Sequence, residues 1–256
     1  MYDVLREYRQ YVGNSFSKET ARAYRNRLAL LLRGQDIIDP MGNMDFDRIL
    51  DNLSMIRHKN YFSQTKNAFL KFCEFEHIAL SSEVMNEIKA LQKSTHKKYR
   101  KLSPVDYREI KKKVEHLKNV KLKLSYQTMA STGLRVSELA GITAHDCMIE
   151  NDGITFTFKA KGGRMAQAVL LAHEYPQLYA SIKEQIEKTS LDKKVFYSAN
   201  YLQGKAKGLK FQCHDLRRAF AKIEYKKSHS KIFVMEKLRH KHLKTTEIYL
   251  KSRVKV

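Results

Sequence analysis

LRHKHLKTTEIYL, residues 238–250, is the stretch on which the reading of this chain turns. His240 stands nine residues before Tyr249, and Leu238, Leu243, Ile248 and Leu250 are available to pack a short helix against a core. A tyrosine at helical spacing is usually a core or rim residue, with its ring buried and its hydroxyl hydrogen-bonded. Taken alone, therefore, the stretch describes a helix end; its chemistry depends on three strings upstream.

The nearest is HDLRRAFA, residues 214–221. His214 at a helix start and Arg217 three positions on share one face of the first turn, where free backbone amides already favour an anion. Cys213 beside His214 raises zinc, but no further ligands lie at a workable spacing. In KAKGGR, residues 159–164, Lys161 sits beside a Gly162-Gly163 turn. In TGLRVSELAG, residues 132–141, Gly133 ends a helix, so Arg135 projects from a turn while Val136, Leu139 and Ala140 pack inward. An arginine fork held in this way suits two phosphate oxygens; the plainer alternative is that Arg135 pairs with Glu138.

Around these strings the pattern is helical with one interruption. Ile154, Phe156 and Phe158 alternate after the turn Asn151-Asp152-Gly153, and Ala166, Ala168 and Leu170 alternate after the glycine pair, which predicts a small antiparallel meander. Helices are expected from about Val105 to Asn119, started by Ser103-Pro104, from Val120 to Ser131, and from Tyr175 to Glu187. Three more are expected near 215–227, 231–238 and 245–252. The first ninety or so residues read as four short helices around one core. Their apolar sets are Val4, Leu5, Tyr8, Tyr11 and Val12; Tyr24, Leu28, Leu31 and Leu32; Phe46, Ile49, Leu50 and Leu53; and Phe62, Phe69, Phe72 and Cys73. Ser17 starts the second helix and Gly34 stops it. The expected fold is mainly α with a small antiparallel sheet, divided into a helical domain over 1–93, a basic linker over 94–103 and a second domain over 104–256.

The charge supports that division and narrows the partner. Among 256 residues, 49 Lys and Arg face 27 Asp and Glu, a net charge of +22. Residues 1–95 hold 14 basic and 12 acidic side chains, and residues 96–256 hold 35 and 15. A polyanion is the partner such a chain suits. The linker concentrates Lys97, Lys98, Arg100 and Lys101, a composition for lying along a phosphate backbone. No apolar run approaches the roughly 20 residues that cross a bilayer, and residues 1–11 lack the features of a secretion signal. Cys73, Cys147 and Cys213 form no CxxC pair and are read as buried reduced thiols. A protein of the cytoplasm, associated with DNA, is expected.

In this order and at these separations, the four strings resemble the phage-integrase or tyrosine-recombinase family. The resemblance covers about residues 103–250, with a weaker likeness of the first domain to the family's helical core-binding (SAM-like) domain. It implies a catalytic domain in which Arg135 and Arg217 clamp the scissile phosphate, His214 belongs to the HxxR signature and Lys161 is the general acid. His240 would then be the second histidine, Tyr249 the nucleophile, and Glu138 an acidic support behind the site. It also implies a 3′-phosphotyrosine intermediate without metal or nucleotide cofactor, acting on double-stranded DNA with paired sites through a homotetramer. Where the family usually has glycine before the second histidine, this chain has Arg239. Only seven residues follow Tyr249, where many relatives use a longer segment that packs into a neighbouring protomer, which leaves open whether this tail reaches another protomer; no additional arm-binding domain is expected. A type IB topoisomerase and a noncatalytic DNA-binding protein remain as alternatives.

Overall fold

The computed structural model describes residues 2–32, 44–96, 104–160 and 163–256. The chain divides into two compact units, Met1–Lys101 and Leu102–Val256.

Among the described residues, five helices build the first unit: α1 (Tyr2–Ser15), α2 (Lys18–Leu31), α3 (Phe46–Ser54), α4 (Lys59–Phe75) and α5 (Ser82–Ser94). Serines and an aspartate start three of them by accepting orphan first-turn amides: Ser17 from Thr20, Asp45 from Arg48 and Ser81 from Val84. Their apolar stripes meet in a core of Tyr8, Leu28, Ile49, Leu53, Phe62, Phe69, Phe72 and Ile88. Tyr8 can be fully buried because its hydroxyl donates to the carbonyl of Ala68 at 2.6 Å. The expected four helices are thus five; α5 escapes the periodicity reading because it buries only Ile88. Gly34 and most of the basic linker, with Lys97, Lys98, Arg100 and Lys101, lie outside the described residues.

The second unit runs β1 (Val105–Asp106), α6 (Tyr107–Glu115), α7 (Val120–Thr132), α8 (Val136–Gly141), β2 (Cys147–Glu150), β3 (Gly153–Lys159), β4 (Met165–Leu171), α9 (Pro176–Glu187), α10 (Ala199–Gly208), α11 (Cys213–Ser228), α12 (Lys231–Lys237), α13 (Leu243–Leu250) and β5 (Val254–Lys255). β2, β3 and β4 form the antiparallel meander, with Ile154 opposite Leu170 and Phe156 opposite Ala168. Ile154, Phe156, Phe158, Ala168 and Leu170 all turn inward onto the main core.

Two expectations need correction. The helix proposed from Val105 begins at Tyr107, where Asp106 caps it by accepting from the amide of Arg108, and it ends at Glu115. Val105 and Asp106 instead pair in parallel with Val254 and Lys255, and Val254 is fully buried. The short tail therefore packs on its own domain. The helix α10, absent from the reading, is capped by Ser198 and buries Leu202 and Ala206.

The three cysteines are free, with Cys73 and Cys213 buried and Cys147 half-buried.

Candidate active site

The site grows from the junction of α7 and α8. Gly133 ends α7 in the left-handed region, at φ 65, and a Cβ there would stand 2.5 Å from Phe220, so both conformation and space call for glycine. The turn delivers Arg135 as the residue before α8. Its backbone N–H donates to Glu138 at 2.8 Å and its guanidinium to the other carboxylate oxygen at 2.6 Å. The pairing with Glu138 is thus real, and it holds the arginine in place: Glu138 is buried while Arg135 remains partly exposed.

Arg217, on the first turns of α11, is completely buried. Its two terminal nitrogens donate to the carbonyls of Gly133 and Leu238, and Glu138 lies 3.8 Å away. One arginine thereby ties the α7 end, α11 and the α12 end together. Burial, then the neighbouring charge of Arg135, lowers its pKa. Its Nε is shut off from solvent without a hydrogen-bond partner.

Tyr249, on α13, packs among Phe220, Ala221, Val234 and Leu238. Two histidines stand edge-on to its ring, His214 at 5.0 Å and His240 at 4.8 Å between centroids, and the Arg217 guanidinium lies 5.9 Å from the ring centre. His240 is held through Nδ1 by the Thr246 hydroxyl at 2.9 Å, while its Nε2 is buried without a partner. If Nε2 carries the proton, Nδ1 accepts from Thr246, which leaves the buried Nε2–H without an acceptor. Both rings are neutral at pH 7. Burial, followed by the arginine charges, brings His214 down to about 4 and His240 to about 3.

Arg135, Glu138, His214, Arg217, His240 and Tyr249 are thus brought into one neighbourhood. Lys161 lies outside the described residues. The hairpin that carries it is described up to its tip: Lys159 pairs with Met165, and the Ala160 amide donates to the Arg164 carbonyl at 2.7 Å. Two contributors, Thr246 and Asp215, were not singled out from the sequence, and a third, Arg239, was visible there only as a departure. Thr246 orients His240; Asp215, fully buried, accepts from Arg218 at 2.9 Å and from Arg253 at 2.7 Å; and Arg239 takes a left-handed backbone at φ 55. An i+6 hydroxyl such as Thr246 carries no sequence signal, whereas the position of Arg239 before His240 was the visible departure. Among the described residues, no group of three or more His, Cys, Asp or Glu side chains is placed to hold a metal ion, and no helix is long and apolar enough to cross a membrane.

Comparison with known proteins points the same way. The sequence model of the Phage integrase family matches residues 100–255. Tyrosine recombinase XerA of Saccharolobus solfataricus is 28% identical over 157 residues, which are 59% of this chain and 52% of that protein, so the chain spans about half the length of this relative. Among solved structures, a lambda integrase tetramer bound to a Holliday junction superposes with a TM-score of 0.67 at 15% identity, over 98% of this chain and 77% of that one. XerH site-specific recombinase bound to its difH substrate in a pre-cleavage complex gives 0.60 at 17% identity, over 93% and 75%. At such identities the structures attest the shared fold.

Proposed function

The chain belongs to the phage integrase family, and from that premise we propose that it is a site-specific DNA recombinase that cuts and rejoins strands through a covalent 3′-phosphotyrosine at Tyr249. One observation carries the reading: two neutral histidines stand edge-on to the Tyr249 ring with the buried Arg217 guanidinium 5.9 Å from its centre, and Arg217 Nε and His240 Nε2 are buried without a hydrogen-bond partner. A buried donor without a partner is unfavourable by about 1–3 kcal/mol. A phosphodiester relieves that penalty most fully in the transition state, when charge gathers on its nonbridging oxygens.

In the proposed step the Tyr249 oxygen bonds to phosphorus as the bond to the 5′ oxygen breaks. A tyrosine hydroxyl ordinarily ionises near pH 10, so a base takes its proton; His214, neutral and edge-on to the ring, is the candidate. Arg135 and Arg217 hold the phosphate, Glu138 keeps Arg135 in place, and His240 donates from Nε2. Lys161, on the β3–β4 hairpin, protonates the leaving 5′ oxygen. The phosphotyrosine retains the energy of the broken bond, so attack by the 5′ hydroxyl of another strand reseals the chain without a nucleotide cofactor.

The remaining assignments follow as part of the same proposal. The first helical unit is a core-binding domain, the run Lys97, Lys98, Arg100 and Lys101 lies along the phosphate backbone, and four copies assemble on two DNA sites in the cytoplasm. To test the function, the purified chain is incubated with a pool of nicked duplexes of randomised sequence, and adducts surviving denaturation are recovered and sequenced. Plasmids with two recovered sites, or none, are then compared. Recombinant circles only from two-site plasmids are expected; relaxation independent of sites would identify a topoisomerase, and binding without any adduct a noncatalytic protein.

A further inference from the structure

Arg239 has no part in the reaction as written above, yet its surroundings are unusual for a structural arginine. The left-handed backbone at φ 55 turns it out of the end of α12. Its guanidinium lies 5.2 Å from the centre of the Phe158 ring, and Nη1 donates to the Gln167 carbonyl at 3.2 Å. The other two nitrogens, Nε and Nη2, are closed off from solvent and have no hydrogen-bond partner. Those two share one edge of the guanidinium plane, the fork that grips two oxygens of one oxyanion.

Among the described residues, no carboxylate forms an ion pair with Arg239, although Glu174, Glu224 and Glu236 line the same cavity. Glu138, the acidic group that acts on Arg239, is already engaged by Arg135. Burial, then the charge of Arg217, brings Arg239 down to about 10, which still leaves it cationic at neutral pH. A desolvated cation with two unpartnered donors on one edge, within the field of Arg217 and Arg135, suits an anion from outside the chain, which reaches that edge once the atoms covering it move aside.

We propose that Arg239 is a further phosphate-holding residue, whose Nε–Nη2 edge binds two nonbridging oxygens of a backbone phosphate on the strand that Tyr249 attacks. Nη1 and the face of the guanidinium fix it to β4 and β3, so the same side chain joins the bound strand to the hairpin. The identity of the phosphate rests on the recombinase reading; the anion site itself does not.

The test uses the whole chain with inorganic phosphate as the probe, comparing wild type with Arg239→Gly and Arg239→Lys. Glycine suits φ 55 and removes the guanidinium with little strain on the fold, which circular dichroism checks. Phosphate affinity is read from the rise in melting temperature and from the arginine Nε–H resonances. Affinity is expected to fall about tenfold in both variants, and the Arg239 Nε–H signal to move as phosphate is added. In parallel, adduct formation on recovered nicked duplexes should slow at least tenfold in both. Unchanged phosphate affinity in Arg239→Gly, or full affinity in Arg239→Lys, overturns the proposal even if adducts still require Tyr249. Loss of phosphate affinity in both variants, with no adduct from wild type on any duplex, upholds the anion site and overturns the recombinase reading.

Discussion

Arg217 has two duties, and they reinforce each other. By donating to the carbonyls of Gly133 and Leu238 it satisfies two buried acceptors at the ends of α7 and α12, and by doing so it is already positioned beside Tyr249 before any substrate arrives. Arg217→Ala would leave both carbonyls unpaired, so we expect it to destabilise the second unit by roughly 2–5 kcal/mol and to abolish cleavage. Chemical denaturation and adduct assays check the two effects separately. Arg135→Ala should differ in kind: its side chain is partly exposed and, among the described residues, bonds Glu138, so cleavage should be lost with stability reduced by less than for Arg217→Ala.

The histidines make a prediction about acid. His214 and His240 sit at about 4 and about 3 in the folded chain, below the value near 6.5 of an unfolded histidine. Between those limits the unfolded chain binds more protons, so stability is complete above about pH 6.5 and falls as the pH drops toward 4. His240→Asn should flatten that decline, measured as the denaturation midpoint at each pH; an unaltered slope would mean that His240 is not held neutral by the fold. At this scale the arginines, histidines and tyrosine were legible because they fall in short strings. Thr246 was not, because a hydroxyl that orients a ring six residues away is defined only by the turn between α12 and α13.

Elements place these residues, and Gly133 shows how little freedom they have. Gly133→Ala would force a side chain into the left-handed region, unfavourable by about 1–2 kcal/mol, and push against Phe220, whose ring lies 2.5 Å from the added carbon. The expected outcome is a lower melting temperature together with slower adduct formation, since the Arg135 turn and the Gly133 carbonyl move with it. Helices with wide apolar stripes and the alternating meander could be read directly from periodicity. The failures have specific causes. Nothing local in Val105–Asp106 announces a two-residue parallel pairing with Val254–Lys255; only the folded chain brings those segments together. Likewise α5 offers one fully buried apolar residue, too weak a stripe to detect. The tail on which the sequence was least informative proves structural: Val254 is buried and Arg253 bonds Asp215 at 2.7 Å. Val254→Asp should therefore lower stability by placing a charge at a fully buried position.

At the scale of the whole molecule, charge and covalent chemistry can be separated. Of the net +22, residues 96–256 contribute the excess of 35 basic over 15 acidic side chains, so binding to DNA should be dominated by released counterions and fall steeply as salt rises. A logarithmic plot of affinity against salt should keep its slope in Tyr249→Phe, which loses no charge. The most direct test asks where the DNA becomes attached. Wild-type chain trapped on a recovered nicked duplex is digested with nuclease and protease, and the nucleotide-bearing peptide is sequenced by tandem mass spectrometry. The account predicts a nucleotide joined through its 3′ phosphate to Tyr249 and no adduct in Tyr249→Phe; a nucleotide on any other residue, or undiminished adduct in that variant, would contradict it.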